Sequence, residues 1–330
     1  MSANTGSPAS EPEADLAAIL VTDSDTVTIQ KTLRRLAAQT LAQRMEVVIA
    51  ASDPSLIDVA PALQARFARL RLLAADVSTS ARGRAAAIRA ARAPVVAFVE
   101  DHSFPGTDDW AARIIEGHRR PVAALGPRMV NANPATAQSW AIFAIEYGPW
   151  LSGDTPSDVA YVPGHNSSYK RDALMALDNR LEDLLESEYT LHDHLRQKGL
   201  RLQFDPSMRI EHLNHSRPGI GVPLHFLAGR VFAATRAQSW PITRRLAYAL
   251  ACPLIPPLRF ARAMRDLFKL RGNPWLALYA APQAALILLA SGLGEGLGYA
   301  FGAKHAQLAL TELELNRRRF LHADEQHLAL

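Results

Sequence analysis

The sequence predicts an α/β fold built on a mostly parallel sheet, followed by a basic, apolar helical segment. Three observations carry this. Short β-type runs alternate with amphipathic helical stretches through the first hundred residues. Each of the clearest runs ends in acidic or hydroxyl side chains. After Pro218 the alternation stops and long apolar stretches with arginine flanks take over. Strand–helix alternation implies parallel strands with helices on both faces, and 48% hydrophobic residues among 330 suffice for a large core.

In chain order, Leu16 to Val21 reads as a strand ending at Thr22, Asp23, Ser24 and Asp25. Ile29, Leu33 and Leu36 then recur at helical spacing, with Asp25 or Thr26 available as N-cap. Glu46 to Ala50 is a second strand, ending at Ser52 and Asp53; Pro54 stands where a helix can begin. Leu70 to Leu73 is a weaker third strand, and a helix follows over about Ser80 to Ala91. Val95 to Val99 is a fourth strand that runs into Glu100, Asp101 and His102. Ligands of such sheets bind beyond the carboxyl ends of the strands, so Thr22, Asp23, Asp53, Glu100, Asp101 and His102 should converge on one crevice. Farther on, Val122 to Leu125 has strand character, a helix is expected to start near Lys170, and another runs from about Glu186 to Lys198, stopping at Gly199. Leu200, Leu202 and Phe204 alternate with polar residues like a half-buried strand, and Met208 and Ile210 lead to His212.

The rear of the chain has a different character. Leu246 to Leu258 is apolar but interrupted by Pro253, Pro256 and Pro257, which suits a re-entrant or interfacial helix. Trp275 to Leu293 carries no charge over 19 residues, close to the length that spans a bilayer. A pair of buried helices in a soluble domain has the same pattern. From Arg217 onward 14 Lys and Arg face 6 Asp and Glu, a surplus of eight; with a net charge of +4, the first 216 residues carry −4. An acidic front and basic rear argue against nucleic acid as ligand and fit a rear that meets anionic lipid. A single cysteine, Cys252, excludes an intrachain disulfide. Residues 1–14 have neither a basic nor an apolar leader region and read as a disordered tail. The expected organisation is thus a tail (1–14), an α/β domain (15–217) and a membrane-associated helical segment (218–330).

Glu100-Asp101-His102 at a strand end offers oxygen and imidazole donors that suit magnesium or manganese, although an ordinary solvated loop has the same composition. His212, at the end of a later strand, can complete such a shell, with His215 as a competitor. Glu186 and Glu188 open a helix, where acids are favoured by the dipole alone; the functional alternative is a general base. Arg82 and Arg84 sit at a helix N-terminus, an unfavourable place for cations unless an anion is near.

Together these stretches resemble the family-2 glycosyltransferases with the Rossmann-like GT-A fold, over about Ala17 to Ser216. LAAILVTDSDTVTIQKTLRRLAAQT is similar to the family's opening strand and helix. EVVIAASDPS is similar to the strand whose acidic end, here Asp53, contacts the nucleobase. ARGRAAAIRAARAPVVAFVEDH is similar to the stretch before the metal motif, with Arg84 on the family's arginine but Ala85 and Ala87 replacing Asn and Gly. GHNSSYKRDAL resembles the acceptor-side loop, and LESEYTLHDHLRQKGLRLQFDPSMRIEH the acidic helix and the strand ending in a metal-binding histidine. The resemblance implies an inverting transfer from a nucleotide-diphosphate sugar, a UDP-sugar, assisted by Mn2+ or Mg2+. Thr22, Asp53, Arg84, Glu100 and Asp101 would bind the donor, and Asp101, His102 and His212 the metal. Glu188, one methylene longer than the family's aspartate, would be the base, with Glu186 in reserve. The family's Asp-x-Asp is here Glu-Asp-His, which leaves metal dependence open. The tail GEGLGY resembles bacterial membrane-associated members, implying a catalytic domain at the cytoplasmic face of the inner membrane and a lipid-linked or polysaccharide acceptor. Two further classes fit the same residues: a silent nucleotide-sugar- or protein-binding module, and a soluble nucleotidyltransferase.

Overall fold

A computed structural model describes residues 13–23, 26–270 and 273–329. Most of the expected tail, and Asp25 and Arg271, lie outside the described residues. The strands are β1 (Leu16–Thr22), β2 (Met45–Ala51), β3 (Arg69–Ala74), β4 (Val95–Val99), β5 (Ser103–Pro105), β6 (Ala124–Asn131), β7 (Ser157–Asp158), β8 (Ser168–Lys170) and β9 (Leu202–His212). They form one sheet in the order β3-β2-β1-β4-β8-β6-β9-β5, with β7 also paired to β9. β3, β2, β1 and β4 run parallel, β8 is antiparallel to both neighbours, and β6 and β9 are again parallel. The expected α/β architecture with a mostly parallel sheet and a helical rear is therefore the observed one.

Helices α1 (Thr26–Ala37), α2 (Pro61–Gln64), α3 (Ser80–Ala90), α4 (Trp110–Gly117), α5 (Ala137–Tyr147), α6 (Arg171–Met175), α7 (Leu181–Leu185) and α8 (Glu188–Gln197) surround this sheet. Apolar residues at helical spacing put Ile29, Leu33 and Leu36 of α1 into the core on one face of the sheet, with Leu16, Leu20, Val47 and Val99. Ala85 and Ile88 of α3 and Leu191 and Leu195 of α8 fill the other face with Ile19, Val96 and Phe98. The rear comprises α9 (Gly221–Arg236), α10 (Ile242–Ala251), α11 (Ile255–Phe268), α12 (Trp275–Phe301) and α13 (Ala306–Leu315).

Several elements differ from the sequence expectation for identifiable reasons. The helix expected from about Glu186 to Lys198 is α8, which starts at Glu188 because Ser187 is extended (φ −140°, ψ 111°); Gly199 closes it, with φ +77°, and the short α7 before it was not expected. β6 continues to Asn131, through Pro127, because the register with β9 shifts between Pro127 and Arg128, where a missing N–H is tolerated. β9 is not half-buried over its first residues: Gln203 and Asp205 are covered, with Asp158 accepting from Gln203 and Arg120 donating to Asp205. The apolar run 246–258 becomes two helices joined by a 3-10 turn, Cys252–Leu254. The 19-residue uncharged stretch lies within a 27-residue helix that continues through Glu295 and three glycines.

Candidate active site

A cavity of about 610 Å³ opens at the carboxyl ends of β1 and β4. β1 contributes Thr22 and Asp23, β4 leads into Glu100, Asp101 and His102, β9 ends at His212, and the first turn of α8 supplies Glu188 and Tyr189. The parallel topology therefore brings together most of the residues expected to meet.

Glu100 is the hub. Its carboxylate accepts from Arg84 (3.2 Å) and Asn166 (3.3 Å), lies 3.3 Å from His102 Nε2 and 3.5 Å from His165 Nδ1. Burial opposes its charge, but His102 and His165 overcome this and hold the carboxyl well below its usual range. Arg84 is 5% exposed. Removing either side of such a recessed pair typically costs about 3–5 kcal/mol, against about 0–1 for an exposed pair like Arg119–Glu116. Arg84 thus neutralises Glu100 rather than standing free for a phosphate, and Arg82 pairs with Asp76.

Glu100, His102 and His212 offer ligand atoms that all lie within 4.8 Å of one another. One carboxylate oxygen and two imidazole nitrogens make a mixed oxygen–nitrogen set that a divalent transition metal, manganese included, can occupy. Each imidazole is oriented from behind: His102 Nδ1 lies 2.6 Å from Asp101 Oδ1, and His212 Nδ1 lies 2.9 Å from Asn214 Oδ1. Asn214 Nδ2 donates to Asn131 Oδ1 (3.0 Å), so its own Oδ1 is left to accept from His212. Both Nε2 atoms remain for a cation, as in other sites where a second partner fixes the tautomer. The donor set fits a divalent ion. It differs from the expected one in that Glu100 belongs to the cluster, whereas Asp101 orients His102. Without a cation, burial and Arg317 push the His102 pKa down, yet Glu100 and Asp101 raise it to about 9.

Glu188 is seated by backbone. Gly164 N–H and His165 N–H donate to its carboxylate at 3.1 and 2.9 Å. A Cβ on Gly164 would come within 2.6 Å of the Glu188 side chain, so the close approach requires glycine. His165 Nε2 is 3.0 Å from Glu188, and the imidazole bridges Glu188 to Glu100. Burial opposes ionisation of Glu188, and the His165 charge and hydrogen bond bring its pKa down to about 2. Glu186 instead accepts from Thr79 Oγ1 at 2.6 Å. Asp53 stands at the end of β2 outside the cavity lining, where Ser55 donates to it from backbone and hydroxyl; the neighbouring Ser52 reaches Asp23 at 3.2 Å.

His215, the competitor of His212, is turned away toward the Leu313 carbonyl. Sequence reasoning missed the far wall of the cavity. Glu146, Tyr147 and Trp150 come from the end of α5, and Glu314, Asn316 and Arg317 from the C-terminus. Tyr147 packs 4.7 Å from the His212 ring, and burial raises the Glu146 pKa to about 7. Arg317 donates to the Leu213 carbonyl and pairs with Glu314. The C-terminal turns are fastened by Glu325, which accepts from Ser216 and from Asn133 Nδ2 (2.9 Å). Nothing in the sequence pattern linked residues 314–325 to a site a hundred positions earlier. A second hollow of about 490 Å³ adjoins the first and shares Trp150 and Tyr189 with it.

No protein-family model and no curated protein matches the chain. Solved structures are similar in chain path. One is the mannosyltransferase PcManGT from Pyrobaculum calidifontis in complex with GDP-Man and Mn2+, 18% identical, covering 96% of this chain and 86% of that one, TM-score 0.46. Another is TarS 1-349 of S. aureus in complex with UDP, 15% identical, covering 86% and 90%, TM-score 0.46. GalNAc-T7 with UDP, GalNAc and Mn2+ is 12% identical, covering 61% and 43%, with the same TM-score.

Proposed function

We propose that the chain is an inverting, divalent-metal-assisted glycosyltransferase of the GT-A type, moving a sugar from a UDP-sugar to a hydroxyl acceptor. The observation that carries this reading is the meeting of Glu100, His102 and His212 with Glu188 in one cavity at the carboxyl ends of parallel strands. Glu100, His102 and His212 would hold Mn2+ or Mg2+, which when bound neutralises the diphosphate of the donor and of the departing nucleotide. The Thr22–Asp23 end, with Asp53 just beyond, is the side for the nucleoside. Glu188 takes the proton of the acceptor hydroxyl while that oxygen bonds to the anomeric carbon. The bond from that carbon to the diphosphate breaks, and the nucleoside diphosphate leaves with the electron pair. The hollow beside Trp150 and Tyr189 adjoins the cavity that Glu188 lines and suits the acceptor. We keep residues 15–217 as the transferase unit, completed by Arg317 from the C-terminus. We place it at the cytoplasmic face of the inner membrane, with a lipid-linked or polysaccharide acceptor.

The test is transfer from a panel of nucleotide sugars with and without manganese. Glu188→Gln should lower kcat by roughly 10²-fold or more, the usual contribution of a positioned base, without weakening nucleotide binding. Full activity in that variant sinks the assignment. A catalytically silent nucleotide-sugar-binding module is the second reading, favoured by the low proton affinity that His165 imposes on Glu188. Calorimetric binding with no turnover over many hours would select it.

A further inference from the structure

α12 is the one described helix long and apolar enough to cross a bilayer, with a mean hydropathy of 1.7 over its most apolar window. Its packing is that of a helix committed to protein along one side. A Cβ on Gly294 would fall 2.1 Å from the Phe226 carbonyl oxygen, and one on Gly298 2.3 Å from that of Arg230, so the backbones of α12 and α9 touch. Toward its other end, Ala280, Ala284 and Ile287 join the main core with Ile142 of α5, and the Tyr279 hydroxyl donates to the Ala135 carbonyl at 3.2 Å. Crossing a membrane would drag α9, with Arg230 and Arg236, and the edge of the α/β domain into hydrocarbon.

The opposite side of α12 is bare. Leu278, Leu286, Leu289 and Leu293 point outward, Leu293 being 62% exposed. The neighbouring α10 shows Ile242, Leu246 and Leu250 at four-residue spacing, and the turn into α11 adds Leu254 and Leu258; Leu250 and Leu254 are 83% and 76% exposed. An exposed apolar surface of this extent marks an interaction site. Its charges identify the partner. Residues 217–301 contain two carboxylates, Asp266 and Glu295. Both are buried, at 5% and 1% exposure. Glu295 pairs with Arg259, and Asp266 with Arg265 and Lys269. Cations with exposed side chains, including Arg244, Arg262, Arg265 and Lys269, accompany the leucines. Apolar side chains beside cations that outnumber the carboxylates fit the headgroup region of an anionic leaflet.

We infer that the outer faces of α10, α11 and α12 form a monotopic membrane-binding surface that enters one anionic leaflet without crossing the bilayer. This takes the membrane placement above one step further and holds whatever reaction the cavity performs.

The test uses the full chain and flotation with vesicles of phosphatidylcholine alone or mixed with phosphatidylglycerol. The wild type should float with the anionic vesicles. The double variant Leu250→Glu, Leu254→Glu should partition at least roughly tenfold less, since each leucine side chain contributes about a factor of ten or more on burial, with an unchanged melting temperature because both sites are exposed. Equal flotation of the two proteins overturns the surface, as does loss of a detergent-free dimer in the variant with no change in flotation. Failure of the wild type to float overturns membrane placement altogether. The variants Asn273→Cys and His305→Cys, at positions that flank α12, then distinguish depth. In sealed inside-out vesicles an impermeant maleimide should label both from the same side. Labelling of one only after detergent means a span and overturns the monotopic claim alone.

Discussion

At the scale of single residues, the site depends on groups that never touch a ligand. His212 presents Nε2 to the cluster because Asn214 occupies its Nδ1, and Asn214 is held by Asn131 and, through its backbone N–H, by Asn133 Oδ1 at 2.9 Å. Asn133 in turn donates to Glu325, which is 4% exposed. A carboxylate near the C-terminus therefore acts as a positioning residue for a histidine on β9. Partners of this kind are commonly worth 10–100-fold in metal affinity. Glu325→Ala should weaken Mn2+ binding by about tenfold in a calorimetric titration, and Glu325→Gln, which keeps an acceptor for Asn133, should restore most of it. Equal affinity in Glu325→Ala and wild type would remove Glu325 from the chain of contacts. His102, His212 and Glu188 were readable as candidates because each follows a recognisable strand or opens a helix; the pairing of Arg84 with Glu100 was not. His165 was legible as part of a loop, but its bridge between Glu188 and Glu100 arises from the fold.

At the scale of elements, two local breaks in regularity place Glu188, the proposed base. Extended Ser187 starts α8 afresh, so that Glu188 lies on its first turn, and Gly164 lets the preceding loop meet that turn backbone-first. Gly164→Ala should displace the Glu188 carboxylate from two N–H donors and reduce kcat by about tenfold or more, as small misplacements of catalytic groups do. The melting temperature should change far less than for a core substitution; a kcat equal to wild type would show that the seat is not required. The parallel strands, α1 and α3 were readable from apolar periodicity. β6 beyond Leu125 was not, since Gly126, Pro127 and Arg128 disrupt the alternation while the β9 bulge accommodates them. The short α7 was not readable either, since five residues are too few to show a helical period.

At the scale of the whole molecule, both faces of the sheet are sealed by apolar layers, and several histidines are enclosed in a neutral form. Burial lowers the pKa of His118, which meets Ser168, to about 3, and that of His192, which meets Tyr169, to about 4, from an ordinary 6.5. Their folded values are depressed, so the unfolded chain takes up protons first. The stabilisation they give is complete above about pH 6.5 and lost progressively as pH falls toward 3–4. Thermal unfolding followed from pH 6.5 to 4.5, below the range where the raised pKa values of His102 and His165, about 9, act in the opposite sense, should show a falling melting temperature, and the slope should be shallower in His118→Gln. A flat profile would mean these rings are hydrated. The rear of the chain was legible as basic and apolar. Its return to the cavity through Glu314 and Arg317, and the Glu325 contact with Asn133, were not, because contacts between such distant positions leave no local pattern. The most direct measurement is pulsed EPR of Mn2+ bound together with UDP, read for nitrogen hyperfine coupling. Coupling to two imidazole nitrogens, one lost in His102→Ala and the other in His212→Ala, is the predicted result. A bound Mn2+ signal without nitrogen coupling, unchanged by either substitution, would contradict the site.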